Sequence, residues 1–476
     1  MNPSVPPAPP PAPAPIAHVA IGTRTILAFW APLAATWLMM AVEGPYIAAI
    51  IARLDDPTRN LAAYGVAYSF AFMAEAPVIM MMTAANALVA DRASLLALRR
   101  FMLLLIGGVT AAMAVALLPP IFRYVTDRLI GLPPDLASLT HVSTALLLFW
   151  PAAIGYRRFY QGILVRHRQP RRVAYGTVVR LAVMSLAALA LAAWTSLPGA
   201  HVGALALAVG VIAEAGASRW MARAVVSRLM EEAETGSRES GAAAAPALTM
   251  AEALRFYYPL ALTSMLAMVV NPLVTFYMGR SRSPVESLAV LPVVGGLVFV
   301  FRSGALAYQE VGVALAGPDR ENTPQILRVA VALAGVSALM LAGVLFTPLG
   351  MVWFERVAGL PPELARFALW PARLLAIVPA LDYLLSLQRA LLVLARRTQL
   401  ITTATAVEAT VIVIVLGLAV ARLDLVGALA ASLALLAGRT AGNLFLLTPA
   451  LLRPGRPGRA GRPSYGIRRT PDRPRP

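Results

Sequence analysis

The sequence predicts an all-α, polytopic membrane protein with twelve transmembrane helices in two pseudo-symmetric six-helix bundles that repeat in parallel. Three observations predict it: an apolar composition, a recurrence of span-length apolar stretches, and an internal duplication. Of 476 residues, 59% are hydrophobic and only 13% charged, with a mean hydropathy of +0.71. Globular domains carry roughly a quarter charged residues, and a water-soluble chain this apolar could not cover its own surface. Lipid as solvent removes that difficulty. The apolar runs are long and lack the alternation of barrel strands, so helices are the spanning element.

A crossing needs about 20 mainly apolar residues. Such stretches predict spans at 25–51, 61–88, 101–119, 141–164, 174–196, 202–226, 254–278, 286–313, 327–349, 366–393, 399–420 and 425–449. The second and tenth carry internal charges and are the least regular. Residues 1–24 read as a Pro-rich disordered head, and 451–476 as an Arg/Pro-rich disordered cytoplasmic tail. The first bundle is expected over 25–228 and the second over 251–450, with a polar cytoplasmic linker at 229–250. The first apolar stretch, following Arg24, is too long for the core of a cleavable signal.

All 41 basic residues are arginine. Loops after even-numbered spans hold 15 arginines and loops after odd-numbered spans hold 9. Arg24 and the eight arginines of the tail raise the first figure to 24. The positive-inside rule then puts both termini in the cytoplasm of a multi-pass protein of the plasma (inner) membrane. The net charge of +18 therefore reflects topology, and no nucleic-acid partner is expected. Partners expected are the lipid bilayer and anionic lipids at the tail.

The duplication is written in ordered blocks. Phe29, Pro32, Leu33, Ala34, Pro45, Arg53 and Pro57 match Phe256, Pro259, Leu260, Ala261, Pro272, Arg280 and Pro284 at an offset of 227. Residues 131–137 (GLPPDLA) match 359–365 (GLPPELA) at 228, and Val202–Ala206 matches Val426–Ala430 at 224. Each half has an even number of spans, so both insert in the same orientation. An axis along the membrane normal relates them, with a substrate site expected at their interface.

A parallel repeat whose halves open on an aromatic-Pro-Leu span resembles the multidrug/oligosaccharidyl-lipid/polysaccharide exporter superfamily, with its MATE-like fold. Within it, residues 61–70 (LAAYGVAYSF) and 256–262 (FYYPLAL) resemble the progressive ankylosis protein family. The resemblance implies two bundles forming a V that opens alternately to each side, and efflux of anions such as nucleotide, pyrophosphate or citrate. Drug/cation antiport and lipid-linked sugar flipping belong to other branches. The resemblance does not extend to the Pro-rich head or the Arg-rich tail.

Ionisable residues at mid-depth cost about 2.5–3.5 kcal/mol on insertion scales and mark functional positions or helix–helix pairing. Glu75 and Arg302 occupy equivalent positions at an offset of 227, and Arg180 and Glu408 at 228. Glu214, Asp382 and Arg439 are central in their spans; Glu43, Arg158, Arg373 and Arg389 lie nearer the ends, where arginine can snorkel. Two readings stand: structural pairing between helices, or arginines lining a polar seam between the halves, with a carboxylate such as Glu75 or Asp382 taking a coupling proton. A coupling cation, proton or sodium, fits the second reading. Pro45, Pro272, Pro77 and Pro379 are expected to bend their helices, because each removes a backbone donor. Pro32 and Pro259 are expected to do the same.

Several chemistries find no support. Without lysine there is no phosphate-binding Walker loop. Cysteine is absent, and the four histidines are scattered, so no metal site or cofactor is expected. The function expected is secondary active export of a small organic anion. The alternatives are flipping of a lipid-linked saccharide, or a non-transporting membrane enzyme or assembly factor.

Overall fold

The computed structural model describes residues 21–167, 169–239, 248–316, 320–395 and 397–451. The expectations for most of the head and for the tail fall outside the described residues. Every regular element described is helical. Eleven helical segments are long and apolar enough to cross a membrane. The twelfth crossing, second in chain order, is interrupted: one helix covers Pro57–Glu75 and another Met81–Leu88. The expected unbroken span at 61–88 is thus corrected. Pro77 cannot donate to the ladder, and the chain turns over residues 76–80.

The remaining spans follow the sequence closely. The first is one continuous helix, Thr23–Ile51, with Pro32 and Pro45 inside it. The third, Arg92–Ala116, starts at Asp91, whose carboxylate accepts from the Ser94 backbone in a capping box. The fourth is split into Pro134–Leu146 and Trp150–Arg166, and the tenth into Pro362–Leu374 and Val378–Leu394. The fifth is Pro170–Trp194, the eighth Pro284–Leu315, the ninth Thr323–Leu345, the eleventh Thr398–Ala421 and the twelfth Gly427–Leu451. The seventh breaks at Val269 between Met250–Met268 and Val270–Gly279. The sixth differs from expectation: its helix, Gly199–Glu239, runs well into the stretch assigned to the linker.

Of the bend candidates, Pro77 lies in the interruption, Pro272 just after the break at Val269, and Pro379 just after the 3-10 turn Leu375–Ile377. Pro45 sits, with Pro32, in an unbroken helix, and Pro259 lies within the helix Met250–Met268. The Pro45 ring packs on span eight, where a Cβ added at Gly296 would lie 2.9 Å from Pro45 Cγ.

The duplication extends to details of the fold. After the third and ninth spans come π-turns, Tyr124–Ile130 and Trp353–Val357, followed by Gly131 and Gly359 with φ of 82° and 77°. These left-handed conformations suit glycine, which lacks a Cβ. Asn60 Oδ1 accepts from the Ala200 N–H at 2.9 Å, and at the matching positions Ser287 Oγ accepts from the Ala428 N–H at 3.0 Å. Each pair satisfies an otherwise free donor at a helix start.

The ends of the bundle differ. At the end away from the chain termini, spans two and eight lie side by side. A Cβ on Gly65 would stand 3.3 Å from the Leu288 carbonyl and 3.5 Å from the Pro292 ring. Positions 65 and 292 are equivalents at the 227 offset, so the pseudo-twofold axis passes between them. One apolar core spans both halves here, with Ile47, Leu61 and Val66 in the same cluster as Leu288, Val290 and Leu297. At the terminal end each leading helix leans on the opposite half. Ile26 packs with Tyr308 and Tyr383, and Tyr257 packs with Phe101 and Tyr160.

Candidate functional site

Most of the buried charges gather into two networks, one inside each half. The sequence suggested a polar seam between the halves. At the far end the contact between the halves is instead Ala, Val and Leu, where an unpaired charge would be costly.

In the first half, spans one, four, five and six converge. Arg180 donates to Glu43, and its other terminal nitrogen lies 3.6 Å from Glu214. Arg157 donates to Glu214 at 2.6 Å, and Gln161 to the other Glu214 oxygen at 3.1 Å. The Glu214 side chain is fully buried and Arg157 nearly so. Gly176 packs beside it, and a Cβ there would be in ordinary contact with Glu214 Cγ at 3.5 Å. Two arginines and two carboxylates balance. Each charge is thereby paid back by a partner in low dielectric, which is the condition for burying it.

Glu75 stands apart from this group. It closes the first segment of the broken second span and is buried, with no side-chain hydrogen bond or ion pair among the described residues. The positive charges acting on it are those of Arg157 and Arg158. The break beside it is sealed by span seven. Tyr257 donates its hydroxyl to the Pro77 carbonyl at 2.6 Å, and Ser264 to the Ala76 carbonyl at 2.6 Å. Backbone groups freed within a membrane must find such partners. The equivalent of Tyr257 is Trp30, which donates to Gly304, the equivalent of Pro77, at 2.9 Å. Tyr257, Ser264 and Trp30 were not foreseen as contacts, because their partners are main-chain oxygens that no residue pattern reveals.

In the second half, spans eight, ten, eleven and twelve converge. Arg302 meets Asp382 at 2.5 Å, Arg439 meets Asp382 at 3.2 Å, and Arg439 meets Glu408 at 3.2 Å. Asp382 is buried, whereas a quarter of the Arg302 side chain is exposed (25%), with Arg439 and Glu408 at 16% and 14%. Arg389 belongs to the same group electrostatically, and its Nε is buried without a partner. Three arginines face two carboxylates, so this network carries one positive charge in excess.

The charged residues matched at offsets of 227 and 228 have different partners. Glu75 and Arg302 do not meet; each belongs to its own half. Arg180 and Glu408 likewise serve separate networks. Arg157 and Gln161 were missed by sequence reasoning: Arg158 was named instead of its neighbour, and only the helix register separates them. Arg158 reaches no carboxylate among the described residues and touches the Met82 sulfur at 3.8 Å. Arg373 donates to the Leu345 carbonyl at 2.9 Å, closing the end of span nine. No group of metal ligands occurs among the described residues. A surface depression of about 310 Å³ lies at the far end of the first half, lined by Asp56, Arg59, Asp135 and His201 among others, away from both networks.

This architecture is shared with known membrane proteins. An inward-facing multidrug-resistance MATE family transporter of the MOP superfamily superposes with a TM-score of 0.65 at 12% identity, covering 88% of this chain and 95% of that one. The lipid II flippase MurJ in an inward closed conformation gives 0.66 at 12% identity, covering 89% and 87%. The eukaryotic MATE transporter AtDTX14 gives 0.55 at 15% identity, covering 90% and 96%. No family model and no curated protein matches the sequence. The chain is a multi-pass membrane protein that shares the MATE-like fold of these structures.

Proposed function

We propose that this protein is a secondary active exporter that works by alternating access between its two six-helix halves, with a small organic anion as substrate. One observation carries the anion assignment: the second-half network holds one arginine in excess and leaves a quarter of the Arg302 side chain uncovered by protein, while the Arg157–Glu214 pair of the first half is closed off. An incoming carboxylate or phosphate can share Arg302 and Arg439 with Asp382 and Glu408, and take Arg389 as its own partner. Arginine suits that role, since its planar fork binds such oxygens two at a time. The resemblance of residues 61–70 and 256–262 to an anion-exporting family supports the same choice. In this reading Glu75, buried and unpaired, carries the coupling proton. The Glu43–Arg180–Glu214 network holds the first half rigid. The plasma membrane is the site of action and both termini are cytoplasmic.

Reconstitution tests it. Proteoliposomes loaded with citrate or a nucleotide should show flux that responds to an imposed proton gradient. Arg302→Gln and Arg439→Gln should each cut flux at least about tenfold at sub-saturating anion, equivalent to about 1.4 kcal/mol of binding or more. Absence of flux for every anion would refute the substrate class.

A second reading is favoured by the overlay with MurJ: flipping of a lipid-linked saccharide. A fluorescent lipid-linked saccharide should then become accessible on both leaflets in the same vesicles, with no flux of free anions.

A further inference from the structure

We propose that Arg53 and Arg280 form a matched pair of latches that hold the far end of the molecule shut. Arg53 follows the first span, and its Nη2 donates to the carbonyls of Arg356 and Val357 in the other half, at 2.7 and 2.9 Å. Arg280 follows the seventh span. Its Nη2 and Nε donate to the carbonyls of Arg128 and Leu129, both at 2.6 Å. Donors and acceptors are exchanged by the duplication: 53 and 280 differ by 227, and 128 and 129 differ from 356 and 357 by 228.

Each set of acceptors is the tail of a π-turn, where the last carbonyls lack helical partners. Gly131 and Gly359, both left-handed, end those turns. Gly359 also makes room: a Cβ there would lie 2.7 Å from Arg53 Nη1. Each arginine is held in place from its own half. Arg53 Nη1 donates to the Ala49 carbonyl at 2.6 Å, and Arg280 lies over the Phe276 ring at 4.8 Å. Both arginines are exposed, so water replaces the protein partner when a latch opens. A charged donor in contact with water gives a closure that is directional yet reversible, which a buried ion pair would not. Because the two latches sit on opposite sides of the axis, separating the halves at this end breaks both, and loss of one loosens the other.

This inference rests on the alternating-access reading. The protein has no cysteine, so single reporters can be placed in the native chain. Ile130, buried beside the Arg280 latch, and Ala358, buried beside the Arg53 latch, suit this purpose. The full chain in nanodiscs carries Ile130→Cys with or without Arg53→Gln, or Ala358→Cys with or without Arg280→Gln. Labelling by a polar maleimide is then timed. Removing either arginine should speed labelling of the reporter at the opposite latch at least fivefold. Arg166→Gln serves as control, because Arg166 donates to the Asn86 and Ala87 carbonyls within one half. Unchanged labelling at the opposite latch, or equal acceleration by Arg166→Gln, overturns the proposal. Labelling needs no substrate, so it fails independently of the flux measurements on the unmodified protein.

Discussion

At the scale of single residues, the buried charges behave as partners before they behave as ligands. Asp382 is the hinge of the second network, in contact with both Arg302 and Arg439. Replacing it with Asn leaves Arg302 without an ion pair and Arg439 with Glu408 alone. Breaking one side of a buried pair costs about 3–5 kcal/mol, and the partial exposure of Arg302 places this site at the lower end. Asp382→Asn should therefore lower the Tm measured in detergent, and the double variant Arg302→Gln/Asp382→Asn should recover part of the loss. A double variant no better than the single would show that the pair is not coupled. The sequence pointed to Asp382, Arg302, Glu408 and Arg439 by their depth in apolar spans. It could not show that these four meet one another, because the spans are far apart in the chain and only packing brings them together.

At the scale of elements, the break in the second span is the clearest departure from regularity. Pro77 was legible as a bend, since a missing N–H is a property of the residue itself. That the helix would stop outright over residues 76–80 was not legible. Its freed carbonyls are stabilised by Tyr257 and Ser264 from a helix in the other half. Tyr257→Phe removes one donor and strands the Pro77 carbonyl, at a cost of about 1–3 kcal/mol. A lower Tm with unchanged helical content by circular dichroism is the expected result. An unchanged Tm would mean that the carbonyl finds another partner. Gly296 illustrates the same dependence on neighbours. The Gly295-Gly296 pair reads as close packing from the sequence, and the structure supplies the neighbour of Gly296, the Pro45 ring.

At the scale of the whole molecule, alternating access predicts that the two halves separate at the far end, where Gly65 and Pro292 face each other across the pseudo-twofold axis. Cysteines at these two positions should join on oxidation, because a Cβ at 65 already lies 3.5 Å from the Pro292 ring. The disulfide should abolish flux, and a reductant should restore it. Flux that persists across an intact cross-link would show that the far end need not open. The latches, the packing of spans two and eight and the crossing of the leading helices are arrangements between halves. They decide which end is shut in this structure, and each repeats about the same axis.

The sequence by itself determined the lipid environment, the number of crossings and the duplication. Those follow from composition, from the length of apolar runs and from residues compared at a fixed offset, all of which are local or periodic along the chain. It also singled out nearly every buried charge, since a charge in an apolar span is conspicuous wherever it points. The tertiary structure alone decided which charges meet, that the networks lie within the halves, and that Arg53 and Arg280 cross between them. Hydrogen bonds to main-chain carbonyls and ion pairs between distant helices depend on rotation and register. Those are settled only when all the spans pack against one another.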